Sequence, residues 1–257
     1  MMIHQTAEKL RAMRLPAMAA EYIRQSELPT MSALDFDERV AMIADAEWLS
    51  RDNSRIKKLM KSANLRFPTA CFADIDYRPS RKLDRAYLAR LSGLSWVKDA
   101  RNIILTGCTG TGKTWLACAF GVQACRTGLR VAYYRVNRLL YEMAVAKGSG
   151  CEGKLLAKLK KCDILILDDW GLSSLNPVEG LFLLDVLEDR YGESSSIISA
   201  QLPVTLWHGL FEDSTVADAV LERAVHNSYR LELQGPSMRV SADRAEADIG
   251  GDGDPDA

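Results

Sequence analysis

A chain of 257 residues with 33 Lys plus Arg against 34 Asp plus Glu, 47 % hydrophobic and 26 % charged, has the make-up of a globular protein with room for a full core. Its six cysteines are scattered with no Cys-x-x-Cys pair, which argues against a zinc ribbon and against a disulfide framework. No uncharged apolar run is long enough to span a bilayer, and Glu8, Lys9 and Arg11 stand where a signal peptide needs an apolar stretch, so a cytoplasmic protein without a membrane partner is expected.

From the amino terminus, Leu10, Met13, Ala17 and Ala20 recur at helical spacing, and Pro16 stands where proline opens a helix, which predicts a helical hairpin over residues 5–28. Asp35 followed by Glu38 reads as a capping box. Val40, Ile43, Ala44, Ile56, Leu59, Met60 and Ala63 carry the period on to Asn64, as one long helix or two joined. Pro68 and Pro79 punctuate a weakly periodic segment, and Leu83 to Trp96 reads as helical again. A domain boundary is expected near residue 70. Beyond it, β-branched or aromatic runs alternate with helical patterns at Asn102 to Thr106, Arg130 to Arg135, Asp163 to Leu167, Ser196 to Ser199 and Tyr229 to Leu233. That alternation predicts an α/β fold with parallel strands joined by crossover helices.

Charge is spread unevenly. Residues 51–101 hold 13 basic and 5 acidic side chains, whereas 241–257 hold six acids and only Arg244. The Gly- and Asp-rich tail has too little apolar content to repay the entropy of ordering and is expected to be disordered. The basic stretch, which includes Arg55, Lys57, Lys58 and Lys61, is either a solvated helix face or a surface that neutralises nucleic-acid phosphates.

The first strand runs into Gly107, Cys108, Thr109, Gly110, Thr111, Gly112, Lys113 and Thr114, followed by an apolar helical run from Trp115 to Ala124. This is the full P-loop pattern. Glycines let the backbone curl around an anion and present its N–H groups, and the helix start adds a positive dipole end. Lys113 is expected on the β and γ phosphates and the Thr114 hydroxyl on Mg²⁺. Further on, an apolar strand ends in Asp168 and Asp169, a Walker B pattern: Asp168 would hold Mg²⁺ through its water shell, and Asp169 would orient the attacking water. No Asn-Lys-x-Asp guanine-reading motif is present, so ATP is the expected nucleotide.

With these elements placed, the sequence resembles the IstB family, the ATPase helpers of insertion-sequence transposition, which belong to the AAA+ class beside DnaC and DnaA. The resemblance covers roughly residues 5–240. It is carried by Glu47 with Arg51, the run Arg81-Lys82-Leu83-Asp84-Arg85, the P-loop, LILDDWGL from Leu165 to Leu172, Ile197 to Pro203 with Trp207-His208, Leu221 to His226, and Gly235 to Arg239. It implies a P-loop AAA+ domain, a parallel sheet flanked by helices over 101–240, plus a small all-helical N-terminal domain over 1–70 that binds DNA or a partner. Residues 71–100 would be linker and helix, and 241–257 a tail without family counterpart.

The same resemblance makes Gln201 a sensor of the γ-phosphate, Arg223 an arginine finger aimed at a neighbouring subunit's ATP, and Arg239 a second nucleotide sensor. Trp115, directly after the P-loop, is expected to be among the nucleotide-binding residues. Asp169 stands where many AAA+ proteins carry the longer Glu. Residues 136–161, read as two short helices broken at Gly148-Ser149-Gly150, form an insertion that in this clade lies near nucleic acid. Lys147, Lys154, Lys158, Lys160 and Lys161 make it basic, and no aromatic residue except Tyr141 is interleaved, so backbone contact without base stacking is expected.

Three functions follow from these features. The first is an ATP-dependent helper that assembles as a homo-oligomer on double-stranded DNA with low sequence specificity and delivers it to a cognate transposase. The second is a DnaC-like replicative helicase loader. The third, a P-loop kinase for a small metabolite, is opposed by the helical N-terminal region and by the sensor segment around Gln201.

Overall fold

The computed structural model describes residues 2–238; Arg239 and the acidic tail lie outside the described residues. The chain forms two compact units that divide between Lys58 and Leu59.

The first unit holds α1 (Met2–Ala12), α2 (Pro16–Glu27) and most of α3 (Phe36–Ala63). Pro16 opens α2 as expected, but Leu15 before it has no side-chain acceptor for the first N–H groups. Glu47 supplies one from a distance: its buried carboxylate accepts from Ala17 N at 2.9 Å and Met18 N at 3.2 Å. Arg51 binds the same carboxylate at 2.8 Å and holds the Arg14 carbonyl at 2.9 Å. The Arg51 hydrogen bond keeps the Glu47 carboxyl below its ordinary pKa. This pair therefore fastens the hairpin. The expected capping box opens α3, with Glu38 N donating to Asp35 at 2.8 Å and Asp35 N to Glu38 at 3.2 Å.

In the second unit α4 (Arg85–Ser92) and α5 (Ser95–Lys98) precede a five-stranded sheet. The predicted single helix is two because Leu94 takes φ +59° between them. The sheet elements follow as β1 (Asn102–Gly107), α6 (Lys113–Arg126), β2 (Val131–Arg135), α7 (Val136–Gly148), α8 (Glu152–Lys160), β3 (Ile164–Trp170), α9 (Pro177–Glu188), β4 (Ser195–Ala200), α10 (Ser214–Val225) and β5 (Ser228–Leu233). The strands lie in the order β2-β3-β4-β1-β5, and every pairing is parallel.

Alternate side chains leave opposite faces of the sheet. Ile103, Leu105, Ile164, Ile166, Ile197 and Leu231 meet Leu116, Phe120 and the rest of α6, while Ile104, Leu165, Leu167 and Ile198 meet α7, α9 and α10. Ala63, Leu65, Ala70, Leu88, Leu91 and Trp96 belong to the α6 side, with Phe72, Ile75, Tyr77 and Leu83 packed against it. For that reason the units divide earlier than the expected boundary near residue 70, and the stretch expected to be linker and helix contributes residues from both parts to this core. Trp170 and Trp207 lie with ring centroids 5.5 Å apart in the other core, and Trp207 donates to the Leu202 carbonyl at 3.0 Å, so both tryptophans of the family signature serve packing. All six cysteines are free, and burial pushes the Cys118 and Cys125 thiols up to about 11. No described helix is long and apolar enough to cross a membrane.

Candidate active site

The carboxyl ends of β1, β3 and β4 converge at one edge, the place where open parallel sheets bind ligands. Gly107 leaves β1 at φ +143°, and a Cβ there would collide with the Leu233 carbonyl of the neighbouring β5. Gly110, at φ +84°, likewise leaves no room for a Cβ beside Ser237. The loop ends at Gly112, which starts α6 from a left-handed conformation. Lys113 is folded back over it, its Nζ donating to the Gly107 carbonyl at 2.7 Å and the Cys108 carbonyl at 2.8 Å. Thr111 faces inward and bonds the Cys108 carbonyl at 2.8 Å.

The pleat explains the next contacts. Asp168 follows Ile164 and Ile166 on the α6 side of β3, so its carboxylate meets Thr114 at the first turn of α6, at 2.9 and 3.0 Å. Tyr133 stands on the same side of β2 and donates to Asp168 Oδ2 at 2.7 Å; Ser199 of β4 bonds Oδ1. Asp168 is thus fully buried yet held by three hydroxyls, and burial followed by this contact pushes the Tyr133 phenol up. The β3–β4 register shifts between Leu167 and Trp170, and Asp169 takes φ +61° there. The two acids therefore diverge. Asp169 pairs with Arg135 at the end of β2, 2.7 Å away, and this bond raises the arginine's pKa.

A cavity of about 550 Å³ opens beside these groups. Of the residues predicted for the nucleotide, Thr109, Gly110, Gly112, Lys113, Thr114, Trp115, Asp169 and Gln201 line it. Gly107, Cys108 and Thr111 shape the loop from behind. Gln201 accepts from Thr109 at 2.8 Å, which brings the predicted sensor onto the P-loop. The predicted Arg239 is not among the described residues. Sequence reasoning does not single out Tyr133, Ser199, Arg135 or Arg81. The first reads as a core residue of a strand, and the others lie inside or beside motifs whose members look structural.

Arg223 stands elsewhere. Asn102, at the amino end of β1, donates to the carbonyls of Arg223 and Ala224 at 3.1 and 3.2 Å, which puts Arg223 a strand's length, roughly 17 Å, from the P-loop. Its guanidinium pairs with Glu188 and donates to the Ala219 carbonyl at 2.9 Å. The predicted DNA residues are also outside the cavity. Lys57, Lys58 and Lys61 are exposed on α3, where Arg55 pairs with Asp52. On α8, Lys158 donates to the Tyr134 hydroxyl at 2.7 Å and Lys160 pairs with Asp189 at 3.0 Å, whereas Lys154 and Lys161, just past the helix, are exposed with no ion pair among the described residues.

A glycine loop with its lysine after the first strand of a parallel sheet, an acidic pair on another strand and a polar residue between them define a P-loop ATPase of the AAA+ class. The solved DnaC helicase loader shares the fold, with a TM-score of 0.56 at 18 % identity over 66 % of this chain and 99 % of that one. AMPPCP-bound DnaA from Aquifex aeolicus does so with a TM-score of 0.55 at 20 % identity, over 72 % and 56 %. The profile of the family described as IstB-like ATP binding protein matches residues 8–246, and the chain belongs to that family. An insertion sequence ATP-binding protein of Sinorhizobium fredii, y4pL, is 41 % identical over 239 residues, 93 % of this chain and 97 % of that protein. The IS1162 ATP-binding protein of Pseudomonas fluorescens is 43 % identical over 203 residues, 79 % and 88 % of the two.

Proposed function

We propose that this chain is an ATP-dependent helper of insertion-sequence transposition in the cytoplasm, which assembles on double-stranded DNA and there recruits or stimulates its transposase. The observation that carries the assembly is the place of Arg223. A strand's length from its own P-loop, it can serve as a finger only toward a neighbouring copy's ATP, where a fixed planar charge suits the phosphoryl oxygens. The DnaC-like loader reading has the shared ATPase fold in its favour and no observation of its own.

Within one subunit the P-loop N–H groups and Lys113 bind the phosphates, with Gln201 beside them at the γ position. Thr114 and Asp168 offer a hydroxyl and a carboxylate 2.9 Å apart, hard oxygen donors of the kind Mg²⁺ takes, and both would hold it. When bound, Mg²⁺ neutralises charge on the β and γ phosphates. Tyr133 and Ser199 fix the orientation of Asp168. Asp169 orients the water once Arg135 releases it. Asp169→Asn should accordingly bind ATP almost normally and hydrolyse it about 10²- to 10⁴-fold more slowly, the range for losing a general base. The backbone tolerates the change, because asparagine accepts the left-handed conformation readily. Steady-state phosphate release against nucleotide affinity checks it, and wild-type turnover would move the role to another acid.

Lys154 and Lys161 on the insertion, and Lys57, Lys58 and Lys61 on α3, supply a few phosphate contacts per subunit. Assembly multiplies them, so tight binding is expected only with ATP. Duplex binding by anisotropy at several salt concentrations, with and without a non-hydrolysable ATP analogue, tests this. Affinity should fall steeply with salt, and Lys154→Ala with Lys161→Ala should make the log–log slope shallower, by about 0.9 for each phosphate no longer neutralised. Binding that ignores nucleotide and salt, or no binding, would overturn the DNA role.

A further inference from the structure

Among the described residues two arginines of the ATPase unit are buried, and they differ in what they hold. Arg190 is 2 % exposed and spends its guanidinium fully: Nε donates to Ser196 at 3.1 Å, Nη1 to the carbonyls of Leu159 and Cys162 at 2.8 and 3.0 Å, and Nη2 to the Ser195 carbonyl. This is how a structural arginine is satisfied in a core. Arg81 is 7 % exposed, and among the described residues it makes one side-chain hydrogen bond, from Nη2 to the Thr111 carbonyl at 2.6 Å. Its Nε is buried with no partner. No carboxylate of the described residues pairs with it, and Asp76, which shares the cavity wall, is bound to Arg78 at 2.7 Å.

A guanidinium carries five N–H donors and keeps its charge at any ordinary pH, so burying one without an anion is costly. The backbone nonetheless holds it in place. Arg81 ends a short 3₁₀ turn (Pro79–Arg81), its N–H bonds the Arg78 carbonyl at 2.9 Å, and Lys82 closes the turn at φ +48°. Glycines flank the side chain: a Cβ on Gly112 would stand 3.2 Å from Nη2, and one on Gly235 would stand 3.4 Å from Cγ. The guanidinium lies against the P-loop and lines the same cavity as Lys113 and Thr114.

We propose that Arg81 is a nucleotide-binding residue, a second cation beside Lys113 whose unspent donors take a phosphate of the bound nucleotide. The inference rests on the cavity being the ATP site. Asp76 acts on Arg81 only from a distance, its carboxylate being bound to Arg78, so an anion in the cavity would supply the direct partner that no described carboxylate gives, and the contact with Thr111 couples the arginine to the shape of the loop.

The test uses the full chain with Arg81→Met, Arg81→Lys and Arg81→Gln, titrated with fluorescent ADP and with adenosine, beside thermal transitions without nucleotide. Arg81→Met should bind ADP about 10- to 100-fold more weakly, as for the loss of a charge-assisted hydrogen bond, and adenosine as the wild type does. Its nucleotide-free transition should be unchanged or higher, because a charge with no bonded counter-ion has left the interior. Lysine should restore part of the ADP affinity. Glutamine, which keeps a donor for Thr111 and no charge, should not. Wild-type ADP affinity in the methionine or glutamine variant, or a loss equal for ADP and adenosine, would reduce Arg81 to a brace and overturn the proposal. A wild-type protein that binds no ADP, or a Lys113→Ala variant that binds it normally, would instead refute the ATP site itself.

Discussion

Lys113→Ala should lose ATP binding and keep its fold. The lysine's ammonium is the movable charge of the P-loop, resting on the carbonyls of Gly107 and Cys108, from which it can swing to the phosphates. Two charge-assisted hydrogen bonds to phosphate oxygens correspond to roughly 10²- to 10³-fold in affinity or more. The fold does not depend on them, because α6 is held by Leu116, Ala117 and Phe120 inside the core, and alanine is the best helix former at the vacated position. Fluorescent nucleotide titration beside a thermal transition separates the two effects. Unchanged affinity with an intact transition would refute the assignment of the loop.

Arg223→Ala should leave ATP binding intact and reduce hydrolysis by about 10³- to 10⁵-fold, the range for removing an arginine finger. Its local carboxylate partners are Glu188 and, 3.8 Å away, Glu222, both largely exposed, so folding should change by at most about 1 kcal/mol. The sharper expectation concerns mixtures. Lys113→Ala subunits bind no ATP but still carry Arg223, and Arg223→Ala subunits bind ATP but lack the finger. At an interface between the two kinds the ATP of one meets the arginine of the other, and hydrolysis should return. If equal mixtures show only the sum of the separate activities, the arginine does not act across subunits.

Much of the fold is legible along the chain because its signals are local. The five strands lie within a few residues of their predicted positions, Pro16 and the Asp35–Glu38 box open the helices they should, and the P-loop is followed by its helix. The chain divides between Lys58 and Leu59 rather than near residue 70 because Leu65, Ala70, Phe72 and Ile75 look weakly periodic in sequence, while their destination is the core beside α6. Leu83 to Trp96 reads as continuous because nothing local marks Leu94 as left-handed.

By itself the sequence determined the phosphate loop, the acidic pair and the alternation that requires a parallel sheet, since glycine spacing, a strand's apolar run and period-3.6 helices act within one segment. Only the tertiary structure decided how the acids are used. Sheet order sets β2 and β4 on either side of β3, and this brings the hydroxyls of Tyr133 and Ser199 onto Asp168, while a register shift one residue later turns Asp169 toward Arg135. It also decided that Arg81 lies buried against the P-loop with donors unspent, and that Arg223 stands at the far end of β1. Strand order and register are set by which surfaces bury together across the whole domain, and that sum is not contained in the spacing of residues along any one segment.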